Sequence, residues 1–316
     1  MARFHRIIVV TRRTRLQELL DRFVTEAQAR FYIEHMGLSF TIYEEENATY
    51  LRAIERLEAV LPASPRHQVI ERAFLPTFTF EERDLVVTLG NNGLVVNTAK
   101  YLEGQPIVGV NVNPTREEGI VATFTLQDLE RILPFVLLGD FQVRPVTMAQ
   151  ATLNDGQVIL AFNDLFIGHR SHQSARYRIE FDGRAEDHSS SGVIVTTGAG
   201  STAWMRSVYA GALGVVRSIC NGVQSLPAAI NSRFPWSADI LRFAVREPWP
   251  SKGSQTDIVF GTIQEKRTLR IVSRMSEGGV IFSDGVESDA VPFNAGAVAE
   301  IDLALRKANI VVDNAR

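Results

Sequence analysis

Cysteine is nearly absent. Cys220 is the only one in 316 residues, so no disulfide can form within the chain and a reducing compartment is expected. No apolar run approaches the roughly 20 residues that cross a bilayer as a helix. Charge of one sign is not in excess either: 33 Lys and Arg against 36 Asp and Glu leave a net charge of −3. Bulk electrostatic attachment to nucleic acid or to an anionic membrane is therefore not expected. Internal repeats and low-complexity tracts are missing. The first residues, M-A-R-F-H-R-I-I-V-V-T, hold a four-residue apolar core without a cleavage-site pattern. They read as a first strand rather than a signal peptide, and the expected location is cytoplasmic. What is present is ordinary for a soluble protein of about two domains: 45% hydrophobic and 22% charged residues.

The first half alternates short apolar runs with helical patterns. Ile7 to Thr11 predicts a strand, and Arg12, Arg13 and Arg15 make a basic turn after it. Leu16, Leu19, Leu20, Phe23, Ala27 and Phe31 recur at helical steps, and a second amphipathic stretch covers Tyr43 to Val60. Leu85 to Leu89 and Ile107 to Val112 predict strands buried on both faces. A helix is predicted from Thr125 to Leu138, although Pro134 falls inside it. This alternation argues a βαβ arrangement and a parallel sheet. From about Phe141 the period changes to short strands, with hairpin dipeptides at Asp155-Gly156, Asp182-Gly183 and Asp284-Gly285. One helix, Ala203 to Cys220, interrupts them. Pro248 to Gly253 reads as a surface loop.

The stretch D-L-V-V-T-L-G-N-N-G-L-V-V-N, Asp84 to Asn97, joins a buried strand to a helix through Gly90-Asn91-Asn92-Gly93. All four turn residues tolerate positive φ. A strand, a Gly turn and a helix bring backbone N–H groups to a phosphate, and the same pattern also serves as a plain structural turn. The segment T-T-G-A-G-S-T-A-W-M-R-S, Thr196 to Ser207, lies at a second strand-to-helix junction. Its backbone can approach a nucleotide at Gly198 and Gly200, Ser201 or Thr202 can donate hydrogen bonds, and Trp204 offers a face to a ring. A helix N-cap by Ser201 or Thr202 explains the pattern equally. The insertion Phe162-Asn163-Asp164-Leu165-Phe166 is either a turn or an amide and carboxylate placed to grip ribose hydroxyls.

Taken in order, D-L-V-V-T-L-G-N-N-G, F-N-D and V-I-V-T-T-G-A-G-S-T-A-W resemble the NAD kinase family, with its G-G-D-G-T loop, N-E/D pair and T-x-T-G-S-T-A-Y-like segment. N-V-N-P-T-R-E-E-G, N-D-L-F-I-G and R-E-P near Arg246 resemble the mitochondrial-type branch. The resemblance runs from about residue 80 to 305. It implies an NAD kinase-like fold: an α/β N-terminal domain with a parallel sheet over residues 1–140, carrying the Gly90–Gly93 loop; a β-rich NAD-binding domain over 141–300; and a C-terminal strand, 301–316, returning toward the first domain. It also implies NAD or NADP bound between the domains, transfer of a phosphoryl group from ATP (or polyphosphate) to the 2′-hydroxyl of NAD with Mg²⁺, and a homodimer or larger homo-oligomer. Asn163 and Asp164 fall where the family grips the NAD ribose. Thr202, Ala203, Trp204 and Ser207 fall where it holds the adenine and neighbouring groups, and Gly90 and Gly93 keep the loop's shape.

The departures gather in one place. Asn92 occupies the position of the catalytic aspartate, Asn91 replaces a glycine, Leu94 a hydroxyl, Asn113 the aspartate of N-T-D-P, and Ala199 a threonine. A carboxamide has no useful basicity near neutral pH and brings no negative charge to a metal. The sequence therefore predicts an NAD kinase-like protein whose phosphoryl transfer is weak or altered, or else a non-catalytic NAD(P)-binding pseudokinase serving as a sensor or partner subunit, or a related fold with a different nucleotide chemistry. No protein-held metal site is expected: His169, His172 and His188 with Asp187 lack a ligand spacing of note. Cys220 is expected to be a small buried residue.

Overall fold

The computed structural model describes residues 3–219 and 232–313, so Cys220 and the end of the helix expected to reach it lie outside the described residues. The chain divides into two units, Met1–Arg144 with Asn309–Arg316, and Pro145–Ala308.

In the first unit the order is β1 (Arg6–Thr11), α1 (Arg15–Phe23), α2 (Glu26–His35), α3 (Thr41–Val60), β2 (Arg66–Glu71), β3 (Asp84–Gly90), α4 (Asn92–Ala99), β4 (Pro106–Asn111) and α5 (Leu126–Leu138). The strands lie in the order β2-β1-β3-β4, all parallel, and Asn309 and Ile310 add alongside β4 in the same sense. All seven residues of β3 are buried, as expected of a parallel strand covered on both faces. Tyr50 and Leu57 of α3 with Leu129 and Leu133 of α5 form one core with Val9, Val87 and Val108.

Two differences from the sequence expectation have local causes, and one expectation holds. The helical pattern across Leu16–Phe31 is two helices. The chain takes a positive φ of 65° at Val24, and Thr25 caps α2 through its hydroxyl on the Gln28 N–H. Strand β2, R-H-Q-V-I-E, is exposed over its first four residues and carries no alternation to betray it. As expected, helix α5 runs through Pro134, which forgoes one backbone bond without ending the helix.

The second unit holds most of β5 (Gln142–Leu153), then β6 (Val158–Ala161), β7 (Asp164–His169), β8 (Ala175–Phe181), β9 (Arg184–Ser190), β10 (Val193–Thr196), α6 (Trp204–Ile219), β11 (Leu241–Val245), β12 (Phe260–Ile263), β13 (Leu269–Ser273), β14 (Gly279–Ser283), β15 (Val286–Pro292) and most of β16 (Val298–Val312), whose last residues belong to the first unit. One antiparallel sheet runs β16-β13-β8-β9, and β5 pairs with β6 and β16. The other runs β12-β11-β10-β7-β14-β15. Tyr177 and Ile179 of the first meet Val193, Val195 and Phe243 of the second in a shared core. Asp182-Gly183 and Asp284-Gly285 close hairpins with positive φ at both residues, the geometry that matches strand twist.

Candidate functional site

The Gly90–Gly93 stretch is tighter than a four-residue turn. Strand β3 ends at Gly90 and α4 begins at Asn92, and neither glycine nor either asparagine takes a positive φ. The turn is tight without using the left-handed backbone that these residues tolerate. Asn91 is the N-cap of α4, its carboxamide oxygen accepting from the Leu94 N–H at 3.2 Å, and this supplies the direct strand-to-helix passage. Leu94 is buried against Gly90, where a Cβ would stand 3.0 Å from the Leu94 Cδ2. Below the turn, Tyr50 Oη accepts from the Arg12 N–H and donates to the Leu89 carbonyl, both at 2.8 Å, tying the ends of β1 and β3 together.

Asn92 is fully engaged. Its Oδ1 accepts the backbone N–H groups of Ile120, Val121 and Ala122 at 3.0, 2.9 and 3.1 Å, and its Nδ2 donates to the Glu118 carbonyl at 2.6 Å. One side chain therefore pins the loop 118–122, which packs so closely on β4 that a Cβ on Gly109 would lie 2.7 Å from the Val121 carbonyl oxygen. Asn113 is turned inward as well: its Oδ1 accepts from Thr115, its N–H meets Asn111 Oδ1, and its carbonyl closes a turn on Arg116 and Glu117. Neither asparagine supplies a carboxylate, so the donor set of this turn does not fit a protein-held Mg²⁺.

In the second unit, Thr196 to Trp204 forms a self-bonded loop. Thr197 Oγ1 donates to the Phe162 carbonyl at 2.6 Å and accepts from the Gly200 N–H at 3.2 Å. Ser201 is completely buried. Its hydroxyl donates to the Gly198 carbonyl at 2.6 Å and accepts from the Phe234 N–H. It caps no helix, which corrects one reading of the pattern, and it is not available to a ligand. Thr202, Ala203 and Ser207 are exposed, the Ser207 hydroxyl donating to the Trp204 carbonyl. The glycines are demanded by close approach: a Cβ on Gly198 would lie 2.1 Å from the Pro235 carbonyl oxygen, and one on Gly200 2.2 Å from that of Asn163. Gly200→Ala is expected to cost about 1–3 kcal/mol by forcing these backbones apart, read as a lower urea midpoint at unchanged slope.

Asn163 and Asp164 stand where β7 begins, against this loop. Asn163 gives its carbonyl to the Thr197 N–H. The carboxylate of Asp284, held in its hairpin, accepts the backbone N–H groups of Phe162, Asn163 and Asp164 at 3.0, 2.6 and 3.2 Å. Nothing local to Asp284 beyond its turn dipeptide hints at this role. Asp164 is buried and its Oδ1 has no hydrogen-bond partner. Burial raises its pKa to about 7, Thr196 working against the shift and the charge of Asp284 adding to it.

Trp204 is already partly used. Its ring lies parallel to Phe166 at 5.7 Å and to Phe282 at 6.5 Å, and the Arg246 guanidinium stands 5.4 Å from its centre. This aromatic stack forms one wall of a cavity of about 1020 Å³ that also reaches His169, His172, Glu277 and Asn294. His169 packs over Gly278 and takes Ser171 on its Nδ1. His188 belongs elsewhere, buried against Glu186 at 3.0 Å, so the three histidines do not converge. The structure thus assembles Asn163, Asp164 and the Thr196–Trp204 loop in one place, while Gly90 to Leu94 and Asn113 share a place of their own in the first unit.

No family model matches the chain. Among curated proteins it is 30% identical over 135 residues to an NAD kinase of Brucella suis, covering 39% of this chain and 49% of that one. It is 28% identical over 216 residues to an NAD kinase of Xylella fastidiosa, covering 61% and 78%. The chain thus spans about half the length of the first of these relatives. Among solved structures, yeast NADH kinase complexed with NADH superposes with a TM-score of 0.60 at 13% identity, covering 98% of this chain and 84% of the other. An NAD kinase from Archaeoglobus fulgidus in complex with ATP gives 0.51 at 16%, covering 98% and 94%. The fold is that of NAD kinases, an α/β unit with a parallel sheet and an antiparallel β-rich unit.

Proposed function

We propose that this protein is an NAD kinase-like nucleotide-binding protein of the mitochondrial-type branch. It holds NAD(H) or NADP(H) through Asn163, Asp164, Thr202, Ala203, Trp204 and Ser207, and transfers phosphate from ATP to NAD weakly or in altered form. The observation that carries this reading is the engagement of Asn92. A general base must offer a free lone pair to the 2′-hydroxyl. Here Oδ1 is occupied by three N–H groups and Nδ2 is a donor. The side chain at this position acts as a clamp on the loop 118–122, and phosphoryl transfer is left with positioning and electrostatics alone.

The dinucleotide part of the reading rests on the unpartnered, buried Oδ1 of Asp164, suited to a ribose hydroxyl, and on the aromatic wall beside the 1020 Å³ cavity. Trp204→Ala is expected to weaken NAD or NADP binding about 5- to 150-fold, the worth of roughly 1–3 kcal/mol of ring stacking; equilibrium dialysis, with a melting curve beside it, checks this. The same resemblance supports a homodimer or larger homo-oligomer in the cytoplasm, which sedimentation and fractionation would test.

The test of the activity is an enzymatic cycling assay for NADP on purified protein supplied with ATP, Mg²⁺ and NAD. Slow, protein-dependent formation of NADP supports the transferase reading. Saturable binding with no NADP assigns the chain instead as a non-catalytic binder, which the clamped carboxamide equally favours.

A further inference from the structure

The loop Pro248–Gly253 is more than a surface connection. Its Trp249 N–H donates to the Ser189 carbonyl at 2.9 Å, Ser254 Oγ donates to the Trp249 carbonyl at 2.6 Å, and Ser251 and Ser254 hydroxyls bridge at 2.7 Å. Gln255 and Asp187 exchange two further bonds, N–H to carbonyl at 2.9 Å and N–H to carboxamide at 3.0 Å. These bonds staple the loop to the edge strand β9 and hold the Trp249 indole 67% exposed. The indole is thereby presented as an open aromatic face on a cavity wall.

Beneath the indole is a cavity of about 690 Å³ whose walls include Arg176, Asp187, Ser189, Ser254 and Arg274. Its charge is not balanced. Asp187 is the one carboxylate on the wall, and it is shared by Arg274 at 2.9 Å and Arg178 at 3.4 Å. Arg176, which faces Ser189 across the ladder, has no side-chain partner among the described residues. Two guanidinium groups on the wall, Arg176 and Arg274, against that one carboxylate leave it cationic, with hydroxyls for further hydrogen bonds. No residue of this wall lines the cavity beside Trp204.

The geometry points to a second ligand site here, for a nucleoside monophosphate or a similar ring-bearing phosphate: the ring stacks on Trp249 and the phosphate is held by Arg176 and Arg274. Guanidinium groups meet phosphate oxygens in a forked geometry, and an exposed indole accepts any base by its face. The site stands independently of the dinucleotide reading.

Calorimetric titration with AMP, without metal, tests it on wild type and in the Trp204→Ala background, where the proposed dinucleotide site is impaired. AMP is expected to bind in both. Arg176→Glu and Trp249→Ala, both exposed positions, are each expected to weaken that binding at least tenfold, with circular dichroism unchanged. Inorganic phosphate is expected to compete with AMP only at much higher concentration. The proposal is overturned if AMP binding vanishes with Trp204→Ala alone, if neither Arg176→Glu nor Trp249→Ala changes it, or if inorganic phosphate competes as well as AMP.

Discussion

An Asn91→Gly, Asn92→Asp double variant is expected to form NADP from ATP and NAD about 10²- to 10⁴-fold faster than the natural chain, the usual worth of a general base. The mechanism follows from the four bonds of Asn92. An aspartate keeps the three N–H donors of Ile120, Val121 and Ala122 on one oxygen, and these donors favour its ionised form. Its second oxygen then faces the Glu118 carbonyl, which the natural side chain meets as a donor at 2.6 Å. Two acceptors cannot share that distance, so the peptide at Glu118 must turn away, freeing the carboxylate for a hydroxyl proton. The same repulsion is expected to cost about 1–3 kcal/mol of stability. Replacing Asn91 by glycine adds only a few tenths, because glycine is a tolerable N-cap. Initial rates of NADP formation and urea midpoints for both proteins measure the two effects together. Equal rates would show that position 92 does not limit transfer.

The second large effect is a pH dependence centred on Asp164. Its folded pKa of about 7 lies above the ordinary carboxyl value of 3.8. Between these values the folded state binds a proton that the unfolded state has lost, so stability falls as pH rises. The contribution is fully present below about pH 4. It declines by about 1.4 kcal/mol per pH unit and levels off above pH 7, after a total of about 4 kcal/mol. Asp164→Asn removes the titration while keeping shape. The stability of that variant relative to the natural chain is expected to grow from pH 4 to pH 7 and then to hold steady. A difference that is flat with pH would place the pKa of Asp164 in the ordinary range. For the proposed ligand the sign is opposite. A ribose hydroxyl donating to the carboxylate favours the ionised form, so NAD binding near pH 6 is expected to release a proton. Calorimetry in buffers of different ionisation enthalpy detects it.

Much of this was legible in the chain because buried parallel strands announce themselves. Leu85–Leu89 and Ile107–Val112 are continuous apolar runs, and the Asp-Gly dipeptides mark real hairpins. The strands that escaped notice are those whose reason for existing lies elsewhere. β2 and β9 are polar edge or near-edge segments held by backbone pairing, which leaves no period in the side chains. β7 opens on Asp164, and Asn163-Asp164 reads as a turn because the partner that makes a strand start possible, Asp284, lies 120 residues further on. The candidate site divides in the same way. Gly198, Gly200 and Asn92 stand out in the sequence, and each has a packing role in the structure: the two glycines lie under close backbone contact and Asn92 bonds to residues 118–122. That Ser201 is spent inside its own loop, that Trp204 already leans on Phe166, and that Asn92 clamps residues 118–122 are facts of packing, with no local signal.

The measurement closest to the central claim is calorimetric titration of the natural protein with NAD and with NADP, in parallel with the Asn92→Asp variant. The account predicts saturable binding of at least one of the two, of similar affinity in both proteins, because the residues proposed to hold the dinucleotide do not include the clamp. Absence of binding by either dinucleotide to either protein would contradict it.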